Sequence, residues 1–440
     1  MNYDHVIVFG DSLSDIGQKR GTALGWFGSE VGTEKGVPLI LVNGGGRFSD
    51  GKNWADFMYE DASGQSLWGN GFAATNAASA KHFRLQPDLW IRPGGGSPFR
   101  YANYALGGAV GGHKVLLKSK IGLDTFGDEV EKFLADYRKL PRRPTNPERW
   151  RFLFFVMFGS NDVYTDEKDI SHCARIVGLM NKSCIELASV LANSGFADTC
   201  RFVVAGIPKP SNAHRYKVYT EERIAKVRRE EVARNAARGR GDPSAYMRAE
   251  KKLLEKRLKL EKEKQRQHGL LQFSTELNGR LQKMAGDLAV RCDGASFVDT
   301  DGALNELRRV APARGIDPGA AQTRADHANN TQEDELGVSI PDGPSPLFCW
   351  DHAHPTHKGY EFLWEKIRGV IVAEGISFGK VNHTAGNGPA LGLHIAQNDT
   401  MRSLLQDVYE TYGKQTGAHS GSWLSQQIRA ATTSKSDEAT

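Results

Sequence analysis

His5-Val6-Ile7-Val8-Phe9-Gly10-Asp11-Ser12-Leu13-Ser14-Asp15 is the stretch that decides how the chain reads. Residues 5–9 form a short apolar run rich in β-branched side chains, the pattern of a buried strand. Gly10 and the small polar residues behind it turn the chain sharply. A serine in that turn stands at the carboxyl end of a strand, where open α/β sheets bind their ligands. Ser12 is therefore the candidate nucleophile. Gly-Asp-Ser alone is an ordinary turn tripeptide, so the assignment depends on helpers supplied by other segments.

The 440 residues suffice for one large domain with insertions or for two domains. With 39% hydrophobic and 25% charged residues, the composition is that of a soluble globular protein. No apolar run is long enough to span a bilayer. The chain enters its first strand without the basic, apolar and small-residue succession of a cleavable signal peptide. The expected location is the cytoplasm, or the outside of the cell by a route that cleaves no signal, as for a delivered effector. Cys173, Cys184, Cys200, Cys292 and Cys349 are widely spaced and odd in number, and none is paired at metal-ligand spacing. They read as buried apolar side chains in a reducing compartment, with no disulfide framework and no metal. No cofactor is expected.

Beyond the serine turn, strands and helices alternate. Residues 17–46 and 61–100 are rich in glycine and small polar residues and read as loops. A helix is expected near residues 50–59, with Asp50 as its N-cap. A strand at 101–106 ends in Gly107-Gly108-Ala109-Val110-Gly111-Gly112, where backbone can approach a ligand closely. Neither nucleotide-binding glycine fingerprint fits there. Residues 123–137 read as a helix, 151–158 as a central strand of a parallel sheet, 170–193 as a long helix and 201–205 as another strand. Residues 295–299 form a short strand, 312–346 a long loop or lid, and 359–372 a helix. The pattern is a doubly wound α/β architecture. Residues 381–440 are a C-terminal extension with a helix candidate at 400–412 and a disordered, Ser/Thr/Lys-rich end.

An ester-cleaving serine needs a base within hydrogen-bond reach, a group that orients the base, and donors aimed at the developing oxyanion. His354 is the candidate base, because imidazole titrates near neutrality. Asp351, three residues earlier, can reach the other ring nitrogen across a turn. The backbone N–H groups of Ser12 and Gly108 and the side-chain amide of Asn161 are the candidate oxyanion donors. His352 and His357 have no Asp three residues before them and read as surface or loop histidines.

These segments resemble the GDSL esterases and lipases, also called SGNH hydrolases. Residues 10–15 resemble the nucleophile block, and Gly46-Arg47-Phe48-Ser49-Asp50-Gly51 with Trp54 the block that follows it. Asn103-Tyr104-Ala105-Leu106-Gly107-Gly108-Ala109 resembles the glycine block, Gly159-Ser160-Asn161-Asp162 the asparagine block, and Trp350-Asp351-His352-Ala353-His354-Pro355-Thr356 the terminal Asp-x-x-His block. Five blocks in family order across residues 5–372 are a specific signal. The resemblance implies a three-layer α/β/α SGNH-hydrolase-like fold over residues 1–380 with a parallel central sheet. It implies Ser12 as nucleophile, His354 as base, Asp351 as orienter, and Ser12, Gly108 and Asn161 at the oxyanion hole, with Gly107 as the alternative register. The terminal block looks most like bacterial lipase and acyltransferase branches. The expected activity is therefore hydrolysis of lipid esters, as by a lipase or phospholipase, with acyl transfer as a branch. A carbohydrate O-acetyl esterase and a non-catalytic scaffold are the alternatives.

Residues 214–268 have no counterpart in that compact pattern. They read as an inserted helical hairpin, and residues 215–266 hold 18 Lys/Arg against 9 Asp/Glu. The whole chain carries only +5, so the remainder is slightly acidic. Such a hairpin suits an anionic membrane surface or a protein partner. It has few aromatic residues for base stacking, which disfavours nucleic acid.

Overall fold

The computed structural model describes residues 1–19, 46–64, 66–67, 100–112, 124–139, 150–166, 169–194, 197–209, 214–322, 345–349, 351, 353–379 and 381. In chain order the elements are β1 (Asn2–Tyr3), β2 (His5–Gly10), α1 (Trp54–Ser63), β3 (Arg100–Asn103), α2 (Phe126–Tyr137), β4 (Trp150–Met157), α3 (Ser160–Asp166), α4 (His172–Asn193) and β5 (Ala197–Ala205). Then follow α5 (His214–Gly239), α6 (Pro243–Arg291), β6 (Ala295–Val298), α7 (Thr300–Val310), β7 (Ile316–Ala321), β8 (Ser345–Phe348), α8 (His357–Ala373) and β9 (Ser377–Phe378).

Five strands form the central sheet in the order β3-β2-β4-β5-β6, every pair parallel. The register aligns their ends: Gly10 lies opposite Met157, Met157 opposite Ala205, and Ala205 opposite Val298. Four strands thus stop on one row, and the loops that follow share one edge. Strand side chains alternate between faces. Ile7, Phe9, Phe152, Phe154, Val156, Phe202 and Val204 pack against α2, α4 and the C-terminal half of α6. Val6, Val8, Leu153, Phe155, Met157 and Val203 pack against α1 and α8. Both faces are covered, which explains why these strands read as continuous apolar runs rather than alternating ones.

Local chemistry sets the helix starts. α1 is capped by Asn53, whose side chain accepts from the N–H groups of Ala55 and Asp56, while Asp56 reaches back to the N–H of Asn53. The expectation that Asp50 would cap this helix is corrected: Asn53 completes a capping box, and Asp50 is used elsewhere. Asp56 also takes a two-pronged ion pair from Arg47, at 2.5 and 3.0 Å, with both side chains fully buried. Removing one member leaves an uncompensated buried charge. Arg47→Met is therefore expected to lower unfolding free energy by about 3–5 kcal/mol, read from urea denaturation.

One further expectation changes. Of the segment read as a loop or lid, residues 316–321 and 345–348 pair as a small parallel ladder, β7–β8, behind the unforeseen α7. Residues 323–344, the stretches 20–45 and 68–99 that read as loops, and the C-terminal extension beyond residue 381 with its expected helix at 400–412 lie outside the described residues. The hairpin forms as α5 and α6, with Asp242 capping α6 and Pro243 in its first turn. Its second helix runs on as one 49-residue rod, whose later part supplies Phe273, Leu277, Leu281 and Leu288 to the core. Among the described residues no helix is long and apolar enough to cross a membrane.

Candidate active site

The turn after β2 is held by its own backbone and by Asp11. The N–H groups of Ser14 and Asp15 each bond the Asp11 carbonyl at 3.0 Å, and the N–H of Leu13 bonds Asp11 Oδ1 at 3.0 Å. Gly10 fits because a Cβ there would lie 2.7 Å from Ser14. This geometry leaves Ser12 at the sheet edge, 8% exposed.

The far end of the chain reaches the same edge. Cys349 N–H bonds the His354 carbonyl at 2.9 Å and Thr356 N–H bonds the Leu347 carbonyl at 3.0 Å, which brings residues 353–356 back onto β8. Asp351 Oδ1 accepts the N–H groups of Ala353 and His354 at 2.9 and 3.0 Å. Its Oδ2 lies 2.5 Å from His354 Nδ1, and His354 Nε2 lies 2.8 Å from Ser12 Oγ. A carboxylate at Nδ1 selects the tautomer protonated there, so the Nε2 lone pair is free to accept the Ser12 proton. Burial pushes the Asp351 carboxyl up, but the His354 ring and the two N–H bonds outweigh it and hold it well below the usual carboxylate range.

The glycine block lies beside the turn. Leu106 N–H bonds the Gly10 carbonyl at 2.9 Å, and Gly107 N–H bonds Asp15 Oδ2 at 2.7 Å. Gly107 must lack a side chain, because a Cβ would meet the Phe48 ring at 2.3 Å. That ring also packs on His354, with centroids 5.3 Å apart. Gly108 adopts φ +88°, which favours glycine. Its N–H and that of Ser12 have no hydrogen-bond partner among the described residues. Asn161, at the start of α3, gives an amide hydrogen to the Ala109 carbonyl at 2.9 Å. Its neighbour Asp162 accepts Gly111 and Gly112 N–H at 2.7 and 3.0 Å. Asparagine and glycine blocks are thus locked together.

The structure therefore joins Ser12, His354 and Asp351 in one hydrogen-bonded series and brings Asn161 to the glycine block. His352 lies outside the described residues. The reading of His357 as a surface or loop histidine is corrected. It opens α8 with its side chain 12% exposed, 3.3 Å from Asp50, and its N–H bonds Asp50 at 2.7 Å. Asp50 also accepts Gln322 Nε2 at 2.8 Å, so one buried carboxylate ties the second block to the loop that carries His354.

The sequence reading missed Glu129. It is fully buried on α2, and its two oxygens accept Gly10 N–H at 3.0 Å and Leu106 N–H at 3.2 Å. The available signal was an acidic residue within the apolar stripe of Phe126, Val130 and Phe133. Burial pushes its carboxyl well up, against the Gly10 bond and the Lys132 charge.

Asp11 is fully buried too, and its Oδ2 has no hydrogen-bond partner among the described residues. Burial raises its carboxyl to about 7, although the Leu13 N–H and the nearby His354 ring oppose this. A folded-state value above the unfolded one of about 3.9 means that folding disfavours the ionised form. The resulting penalty grows as pH rises from about 4 to 7 and stays constant above. Asp11→Asn keeps the acceptor for Leu13 and cannot ionise. Its stability relative to wild type should rise by about 2–3 kcal/mol between pH 5 and pH 8, measured by denaturant unfolding at both.

Among the described residues no cluster of His, Cys, Asp and Glu is placed to hold a metal ion. The five cysteines are free, four of them buried. The family described as GDSL-like Lipase/Acylhydrolase matches residues 6–367. A search of curated proteins returns no significant relative.

Proposed function

The chain belongs to the GDSL-like lipase/acylhydrolase family and is in general terms a serine ester hydrolase, and from that premise we propose that its substrates are lipid esters, cleaved through an acyl-enzyme on Ser12. Ser12 Oγ attacks the ester carbonyl while His354 Nε2 takes its proton. The N–H groups of Ser12 and Gly108 and the Asn161 amide stabilise the oxyanion. Gly107 is the poorer donor, since its N–H already serves Asp15. Collapse of the tetrahedral adduct expels the alkoxide, which receives the proton from His354. Water, deprotonated by His354, then attacks the acyl carbonyl, and the acid and free Ser12 are regenerated. An acceptor alcohol in place of that water takes the acyl group and makes the enzyme an acyltransferase.

The observation that carries the mechanism is the Ser12–His354–Asp351 series at 2.8 and 2.5 Å. The lipid assignment is supported by the terminal block's resemblance to lipase branches and by the basic hairpin. The test is incubation with mixed phospholipid vesicles containing an acceptor alcohol, followed by mass spectrometry of lipids. Lysolipid with free fatty acid, or with an acylated acceptor, is the expected result. Unchanged lipids together with acetate release from an acetylated polysaccharide would replace this reading with a carbohydrate O-acetyl esterase.

A further inference from the structure

The hairpin projects from the catalytic edge. Low on α6, Leu277 packs against Gly159, where an added Cβ would lie 2.9 Å from it. Asn278 clasps Ile207, accepting its N–H and donating to its carbonyl, both at 2.8 Å. Gly159 and Ile207 follow the carboxyl ends of β4 and β5. The helix finishes at the opposite edge, where Asp293 bonds Cys200 near the start of β5. α6 therefore runs antiparallel to the strands, and residues 243–269 extend past the carboxyl edge by about 40 Å at 1.5 Å per residue. α5 packs along them through Val227, Leu253 and Leu260 and through the Arg257–Glu231, Arg223–Glu263 and Arg234–Glu250 pairs.

Two surface features of this rod remain unaccounted for by its own folding. Between the helices lies a notch of about 180 Å³ lined by Arg223, Lys226, Lys256 and Lys259. Arg223 and Lys226 lean on Glu263 and Glu222, but among the described residues Lys256 and Lys259 have no acidic partner. The notch has room for a phosphate group. On the outer face of α6, Met247, Leu254 and Leu258 are 65%, 56% and 58% exposed. Their spacing of seven and four places them on one stripe, away from the face that meets α5. At about 3.6 residues per turn that stripe lies nearly opposite Lys256 and Lys259 around α6, so the two features do not share one flat surface. Residues 214–268 contain three tyrosines and no Phe or Trp, which leaves little to stack on bases.

We propose that the lysine-lined side of this hairpin docks the enzyme on an anionic lipid surface, with Lys256 and Lys259 facing headgroup phosphates. The inference deepens the lipid reading of the active site and rests on it for its purpose. Because the rod is continuous with the helix touching Gly159, docking also sets the height of the catalytic edge above the membrane.

The test is flotation of the full chain carrying Ser12→Ala, which separates binding from turnover. The vesicles are phosphatidylcholine alone or with about one third phosphatidylserine. Binding is expected only to the anionic vesicles and is lost at 1 M salt, where the screening length falls to about 3 Å. Lys256→Glu with Lys259→Glu is expected to weaken binding at least about 25-fold, taking about fivefold per lysine lost. The same pair in the active enzyme should leave hydrolysis of a soluble short-chain ester unchanged, which shows that the fold is intact. Equal binding to both vesicles, retention at 1 M salt, indifference to the double substitution, or capture by RNA without vesicle binding would each overturn the proposal. Anionic-selective binding without any lipid hydrolysis would overturn the substrate reading and leave docking standing.

Discussion

Ser12→Ala is expected to lower hydrolysis of a short p-nitrophenyl ester by about 10⁵–10⁶-fold in kcat while leaving the fold intact. The substitution removes one oxygen from a side chain that is 8% exposed and whose packing is set by the turn around it. The Asp11 carbonyl still accepts Ser14 and Asp15 N–H, and Leu13 still bonds Asp11, because none of these involves the Ser12 hydroxyl. Unfolding free energies from urea titration should therefore agree within about 1 kcal/mol. Residual turnover, on the order of 10³-fold over water, would come from the oxyanion donors acting on a bound ester. Rates equal to wild type would place the nucleophile elsewhere and remove the proposed mechanism.

The second large effect belongs to Asp351. Asp351→Asn is expected to lower kcat by about 10⁴-fold with little change in KM. The asparagine oxygen can keep the N–H bonds of Ala353 and His354, so the loop retains its shape. What changes is the proton on the ring. With an amide donor near Nδ1, the neutral imidazole favours the tautomer protonated at Nε2, which faces Ser12 with a hydrogen instead of a lone pair. The imidazolium formed during the reaction also loses its counter-charge. A stability signature accompanies the rate loss. The folded-state pKa of Asp351 lies below its unfolded value of about 3.9. Its ionised form thus contributes stability that is fully present above about pH 4 and is lost as pH falls through the lower folded value. The variant should lack that part of acid destabilisation when wild type and mutant are compared between pH 5 and pH 2. A kcat within tenfold of wild type would show that another group orients His354.

Much of the architecture was legible because it depends on local pattern. Residues 5–9, 151–158 and 201–205 are apolar without alternation, and only strands covered on both faces need that. The helix ahead of the asparagine block carried a regular apolar stripe. The hairpin announced itself by charge, since a helix pair rich in lysine and glutamate with few apolar positions has little to bury. Where the reading slipped, two local signals competed. Asp50 and Asn53 are both good capping residues, and only the partner at Asp56 decides for Asn53. α7 was unforeseen because Ala303 and Leu307 are its only buried apolar side chains, too few to show a period.

The reacting residue types were likewise visible as blocks: a serine after a strand, an Asp-x-x-His before a helix, an Asn after Gly-Ser. Those are short-range patterns, and residue spacing alone can express them. Their meeting is long-range. Ser12 and His354 stand 342 positions apart and come within 2.8 Å because four parallel strands end in one register row and the loop before α8 folds over it. The same holds for the supports. Glu129 reaching Gly10, Asp50 reaching His357 and Asp162 reaching Gly111 each join segments that no periodicity links. Backbone propensity acts over a few residues and could write the elements into the chain, whereas a buried carboxylate finds its donors only once packing has excluded water and left it those N–H groups and no others.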